Sequence, residues 1–199
     1  MEESMPAYSE RYDAALVLAA KAHRGQTRKA SDIPYIVHPM HVSVTLLRCG
    51  FSEDKAIAGL LHDVVEDQDV PLAVIEERFG PDVAYMVDVV TERKREGEVV
   101  SPWEIRKQET LDRLRTARPG SVALKAADVL CNARSLASQL RNDGPSVWGH
   151  YNRGPAESLW YYGAVAAVAR ERLGAHPLVD ELDAALHDLE QAMAACQAS

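Results

Sequence analysis

Apolar residues recur along most of the chain at intervals of three and four, the spacing of amphipathic helices, and capping residues punctuate the pattern. Tyr12, Leu16, Ala19, Ala20 and His23 share one face of a helix that Ser9 can cap and that runs to about His23. His38-Pro39 opens a second helix, with Pro39 at the first helical position and Gly50 just past the end. Ser52, with Glu53 and Asp54 in the first turn, starts a third, which the pattern carries through to Asp67. Asp69-Val70-Pro71 restarts a short helix ending at Phe79-Gly80, and Pro81 starts another with Val83, Met86, Val87 and Val90 as its stripe. Ser101-Pro102-Trp103-Glu104 reads as a capping box, with proline at the first helical position of a helix reaching about Ala117. Arg118-Pro119-Gly120 breaks it, and the next helix contains Leu124 to Asn132. Pro155 and Glu157 start an alanine-rich helix carrying Trp160, Tyr161 and Tyr162, and Gly174 and Pro177 separate it from a last amphipathic helix reaching about Ala195. Glu92 to Glu98, charge-dense, and Arg141 to Gly154, polar, read as loops, the first of them exposed. No segment reads convincingly as a strand. The pattern predicts one all-α domain over residues 1–199, with about nine helices and no significant sheet.

Composition narrows the function classes. A formal net charge of -8 argues against general affinity for nucleic acid or anionic membrane. Cys49, Cys131 and Cys196 are odd in number and far apart, so neither a disulfide framework nor a zinc knuckle is expected. The acidic start, Met1 to Pro6, lacks the apolar core of a signal peptide, and the longest small-apolar stretch, Ala164 to Ala169, cannot span a bilayer. A reduced, cytoplasmic setting is the expectation.

Chemistry concentrates in Leu60-Leu61-His62-Asp63-Val64-Val65-Glu66-Asp67. Helical spacing sets Glu66 one turn beyond His62 and Asp67 one turn beyond Asp63, among residues built for burial. Three carboxyl groups are not desolvated together without a cation or protons, so a bound metal is the economical reading. The other candidates are ambiguous when taken singly. His38, beside Val37 and Pro39, reads first as a hydrogen-bonded core histidine, and His41 competes for any role given to it. Asp128 has Lys125 as a plain ion-pair partner at helical spacing. Lys21 to Ala30 holds four cations and no acid, either a solvated loop or an anion cradle beside Gly25. A second His-Asp pair, His187-Asp188, has no acidic pair one turn on and belongs to a solvated helix face.

The ordered set is far more specific than its parts. Ala22-His23-Arg24-Gly25-Gln26-Thr27-Arg28-Lys29, Pro34-Tyr35-Ile36-Val37-His38-Pro39, the His62 to Asp67 stretch and Leu124 to Asn132 together resemble the HD-domain metal-dependent phosphohydrolases. More narrowly, they are similar to the hydrolase domain of the RelA/SpoT family in its stand-alone form, the small alarmone hydrolases. The resemblance implies an HD-domain helical bundle in which His38, His62, Asp63 and Asp128 hold one divalent metal. Manganese is common in the family, and the ligand types also suit iron or zinc. It further implies that Glu66 and Asp67 position or deprotonate the attacking water, that Arg28 and Lys29 contact base and phosphates, and that Asn132 and Ser135 meet ribose and base. The implied partner is a small-molecule nucleotide. The implied reaction removes the 3′-pyrophosphate of ppGpp or pppGpp, with ppApp, NADPH or a deoxynucleoside monophosphate as alternative substrates. Residues Ala30-Ser31-Asp32-Ile33, Gln68 and Val129 depart from the family pattern without removing a ligand or the acidic pair. The intact Glu66-Asp67 pair disfavours a non-catalytic sensor, and no synthetase domain is expected in 199 residues.

Overall fold

The computed structural model describes residues 9–68, 70–92, 95–96 and 99–197. The acidic start at Met1 to Pro6, Asp69, and Arg93, Lys94, Gly97 and Glu98 of the expected loop lie outside the described residues. The elements, in order, are α1 (Glu10–Ala22), α2 (Val37–Arg48), α3 (Glu53–Leu61), α4 (Val64–Asp67), α5 (Leu72–Phe79) and α6 (Pro81–Val90). After them come β1 (Arg95–Glu96), β2 (Val99–Val100), α7 (Trp103–Thr116), α8 (Pro119–Asp143), a 3-10 helix (Gly144–His150), α9 (Pro155–Leu173) and α10 (Pro177–Gln197). The fold is all-α as expected. The about nine helices expected are all present among the described residues, and the predicted third divides at His62-Asp63 into α3 and α4.

Local chemistry explains most boundaries. The Ser9 hydroxyl accepts from the Tyr12 backbone N–H at 3.0 Å and starts α1, as the sequence predicts. Pro119 sits at the first helical position of α8, where its missing N–H costs nothing. Four local expectations need correction, the first being the loop expected from Arg141 to Gly154, where α8 continues to Asp143 and a 3-10 helix follows to His150. Ser101 does not cap α7: Pro102 is extended (ψ 146°), the helix begins at Trp103, and the Ser101 carbonyl accepts from Arg106 instead. Pro39 is the third residue of α2, not the first, so His38 lies within the opening turn. The segment beyond Glu92 contains an antiparallel pair of two-residue strands, Arg95 opposite Val100 and Glu96 opposite Val99.

α8 is the axis of the molecule. Ser121 to Leu130 are buried without interruption, which marks a helix enclosed on all sides, and α2, α3, α6, α9 and α10 all pack against it. The crossing of α2 and α3 is tight because of Gly59. A Cβ there would come within 3.0 Å of the Ser43 Cα, so only glycine lets the two backbones approach this closely. That approach brings the end of α3 beside the start of α2. Among the described residues no helix is long and apolar enough to cross a membrane.

Candidate metal centre and nucleotide cavity

Three buried elements deliver four side chains to one point. His38 comes from the first turn of α2, His62 and Asp63 from the turn between α3 and α4, and Asp128 from the middle of α8. His38 Nε2 lies 3.1 Å from Asp128 Oδ1 and 3.7 Å from Asp63 Oδ2. His62 Nε2 lies 3.1 Å from Asp63 Oδ2 and 3.8 Å from Asp128 Oδ1. Ligand atoms of His38, His62 and Asp128 all fall within 4.8 Å of one another. His41 is exposed and takes no part.

The break after α3 serves this convergence. His62 Nδ1 bonds the Gly59 carbonyl at 2.8 Å, and a carbonyl only accepts, so the proton sits on Nδ1. Nε2 then faces the two carboxylates, buried and without a hydrogen-bond partner of its own. Burial works against a charge on this ring, but Asp63 and Asp128 outweigh it and raise its pKa to about 9. Burial lowers His38, which Asp128 only partly offsets. Burial also opposes the Asp63 charge, yet His62 and His38 hold that carboxyl well below its usual range. Asp128 is held down likewise, against burial, by Lys125 and the two histidines. Two carboxylates and two imidazole nitrogens around one buried point demand positive charge, and the donor set fits a divalent metal ion.

Outer contacts orient the four. The Tyr35 hydroxyl donates to Asp63 Oδ2 at 2.6 Å, and burial followed by Asp63 raises its pKa, so it stays a donor. Lys125 Nζ donates to Asp128 Oδ2 at 2.8 Å, so the plain ion pair allowed by the sequence exists alongside the convergence on the histidines. Asn132 Nδ2 donates to Asp128 Oδ1 at 2.6 Å, and Arg28 Nη2 donates to Asn132 Oδ1 at 2.8 Å. A chain of contacts thus joins Arg28 to Asp128.

The point opens on a cavity of about 500 Å³ that His38, Asp63, Glu66, Asp67 and Asp128 line together. Arg28, Lys29 and Asn132 line it too, with Lys29 Nζ 5.2 Å from the Tyr151 ring centroid. Ser135 does not. It lines an adjoining cavity of about 610 Å³ with His41, Arg48 and Arg134, which shares Arg28, His38 and Gln139 with the first. Several cavity residues carry no role in the sequence reading. Tyr35 stands inside a matched motif, but nothing in its spacing points at Asp63. Glu92 was expected in an exposed loop, yet its side chain is only 8% exposed and pairs with Arg106 and Lys107. Those two cations, with Arg153 and Tyr161, complete the wall. His187 is exposed and bonded to Gln191, and Asp188 pairs with Arg141, as a solvated helix face requires.

The HD domain family model matches residues 15–148. Over 150 residues the chain is 34% identical to a guanosine-3′,5′-bis(diphosphate) 3′-pyrophosphohydrolase, MESH1, of Drosophila melanogaster, covering 70% of this chain and 81% of that protein. It is 36% identical over 132 residues to a guanosine-3′,5′-bis(diphosphate) 3′-pyrophosphohydrolase of Aquifex aeolicus, covering 66% of this chain. The chain spans only 18% of the length of that protein, and 14% of a GTP pyrophosphokinase of Streptomyces coelicolor and 15% of a probable GTP pyrophosphokinase of Mycobacterium leprae that it also matches. Among solved structures, one described as a metazoan ortholog of SpoT that hydrolyzes ppGpp superimposes with a TM-score of 0.70 at 28% identity, covering 94% of this chain and 98% of its own. With the ligand geometry and these likenesses together, the chain belongs to the HD domain family and is a homologue of MESH1.

Proposed function

We propose that this protein is a metal-dependent 3′-pyrophosphohydrolase of ppGpp and pppGpp, releasing pyrophosphate and GDP or GTP. The observation that carries the reading is the convergence of His38, His62, Asp63 and Asp128 on one point, buried at His62 and opening through the other three onto the cavity that the Glu66-Asp67 pair also lines. When bound there, a divalent ion supplies Lewis acidity: it offsets charge on phosphoryl oxygens and lowers the pKa of water. Manganese is the ion proposed.

The remaining work falls to side chains. Glu66 and Asp67 orient the attacking water toward phosphorus and take its proton, a role that calls for carboxylates in a polar, open part of the cavity. Glu66 is itself held, since its Oε2 accepts from the Glu92 backbone N–H at 3.0 Å. Arg28 and Lys29 grip the nucleotide, and Asn132 keeps the Arg28 guanidinium in register with Asp128. Arg106, Lys107 and Arg153 offer a second group of cations to the phosphate chain. Tyr161, Tyr162 and Trp103 exclude water around the reacting groups. Ribose or base extends toward the adjoining cavity, where Ser135 stands.

The same reading takes residues 1–199 as a single hydrolase domain, since α9 supplies cavity walls to ligands from α2 and α8. It places the protein in the cytoplasm, where its three free cysteines remain reduced. A substrate panel tests the proposal: ppGpp, ppApp, NADPH and a deoxynucleoside monophosphate assayed side by side with manganese. Pyrophosphate release from ppGpp should exceed turnover of the others. Preference for a 5′-monophosphate would overturn it, and preference for ppApp or NADPH would trace to the departures at Ala30 to Ile33.

A further inference from the structure

Glu92, just past the end of α6, touches both Glu66 of the acidic pair and the α7 cations. Its backbone N–H donates to Glu66 Oε2 at 3.0 Å. Its carboxylate accepts from Arg106 Nε at 3.2 Å and from Lys107 Nζ. All four residues line the cavity. A carboxylate this deeply buried is expensive to desolvate, and here two cations offset that cost. Resting on the phosphohydrolase reading above, we propose that Glu92 is a positioning residue for the reaction. Its carboxylate fixes Lys107 and Arg106 as charged, aimed cations, while its backbone fixes Glu66.

The surroundings of Lys107 show why a fixed anion is needed. Its ammonium sits 4.2 Å from the Tyr161 ring centroid and 5.9 Å from that of Trp103, with Arg153 over the same Trp103 ring at 5.6 Å. Arg106 precedes it on α7, Lys125 faces it from α8, and Glu66 and Glu92 are the anions within its field. Burial, then Lys125, push the Lys107 pKa below its ordinary value, and Glu92 is the largest influence holding it up. Without Glu92 the ammonium would give up its proton closer to neutrality and lose its grip on phosphate. The sequence hides this arrangement because Glu92 and Lys107 are 15 positions apart, at the two ends of a charge-dense segment.

The test compares wild type with Glu92→Gln and Glu92→Asp. The Lys107 titration is followed by the NMR shift of its labelled Cε, assigned with Lys107→Met, and kcat/KM for pyrophosphate release is followed against pH. In Glu92→Gln the Lys107 midpoint should fall by about one pH unit or more, and the alkaline limb of kcat/KM should move down with it. Glu92→Asp, which keeps the charge, should lie between. An unmoved Lys107 midpoint overturns the inference, as does an alkaline limb that stays in place while the midpoint falls. A wild-type protein that leaves ppGpp intact counts against the proposed substrate instead, and the Lys107 midpoint still decides the role of Glu92.

Discussion

The two ends of the cavity are built on different principles. At the metal end, His38, His62 and Asp128 are 4%, 2% and 7% exposed, and each is carried by a helix or helix junction packed into the core. Gly59 illustrates how tightly that end is packed, since an added Cβ would sit 3.0 Å from the Ser43 Cα and press on the α2 backbone. At the end proposed to hold the nucleotide, Arg28 and Lys29 stand on the α1–α2 loop and Glu92 follows α6. Ala30, in that loop, has a φ of 56°, a left-handed conformation that an alanine adopts at some cost. On the proposed function, the contrast teaches that the core fixes what chemistry is done, whereas the loops choose the molecule on which it is done. Of the departures from the small alarmone hydrolase pattern, Ala30 to Ile33 fall at the second end, whereas Gln68 follows the acidic pair and Val129 adjoins Asp128.

If this division is right, perturbing the metal end should abolish activity, and perturbing the loop should not. The largest effect is expected for Asp128→Ala. It removes a ligand and leaves Lys125 buried without its partner, so stability should drop by about 3–5 kcal/mol in a denaturant titration. Glu66→Gln should lower kcat by on the order of 10²-fold or more while the protein still binds manganese, since the acidic pair stands outside the ligand set. Retained kcat in that variant would dissolve the distinction between metal ligands and water activator. Tyr35→Phe frees Asp63 to turn, and should weaken metal affinity by about 10- to 100-fold, read by competition with a chelating dye.

Proton linkage sharpens the comparison further. In the metal-free protein the raised His62 pKa means that its proton stabilises the fold fully below 6.5, and that this contribution disappears as pH rises through about 9. The melting temperature of metal-stripped protein should therefore decline across that window, and manganese should remove the decline. Metal affinity should rise over the same window, by about tenfold per pH unit, because binding displaces the His62 proton. The smallest effect belongs to the loop. Ala30→Gly should stabilise by about 0.5 kcal/mol, the relief of a left-handed alanine less the entropy of glycine, with pyrophosphate release unchanged.

The same division explains what could be read from the sequence. Helices whose caps are local, such as Ser9 for α1 and Pro119 for α8, announce themselves within a few residues. The proposed metal ligands are legible because each sits in a short motif and because those motifs keep a fixed order. What escaped depends on contacts between distant segments. The helix break at His62-Asp63 is invisible in a continuous apolar pattern, since it follows from a histidine ring bonding the Gly59 carbonyl. Tyr35 and Asp63 meet only because α2 and α3 cross closely. Glu92 reads as solvated by composition, and its burial depends on Arg106 and Lys107 folding back onto it. Local capping patterns failed at Ser101, where an extended Pro102 moved the helix start by one residue.

The most direct test of the central claim is a manganese titration of chelator-treated protein, with pyrophosphate release from ppGpp followed at each addition. Activity should appear in proportion to bound metal, reach its plateau at one ion per chain, and stay absent in Asp63→Ala at any added manganese. Turnover of ppGpp that survives chelation, or that Asp63→Ala retains, would contradict the account.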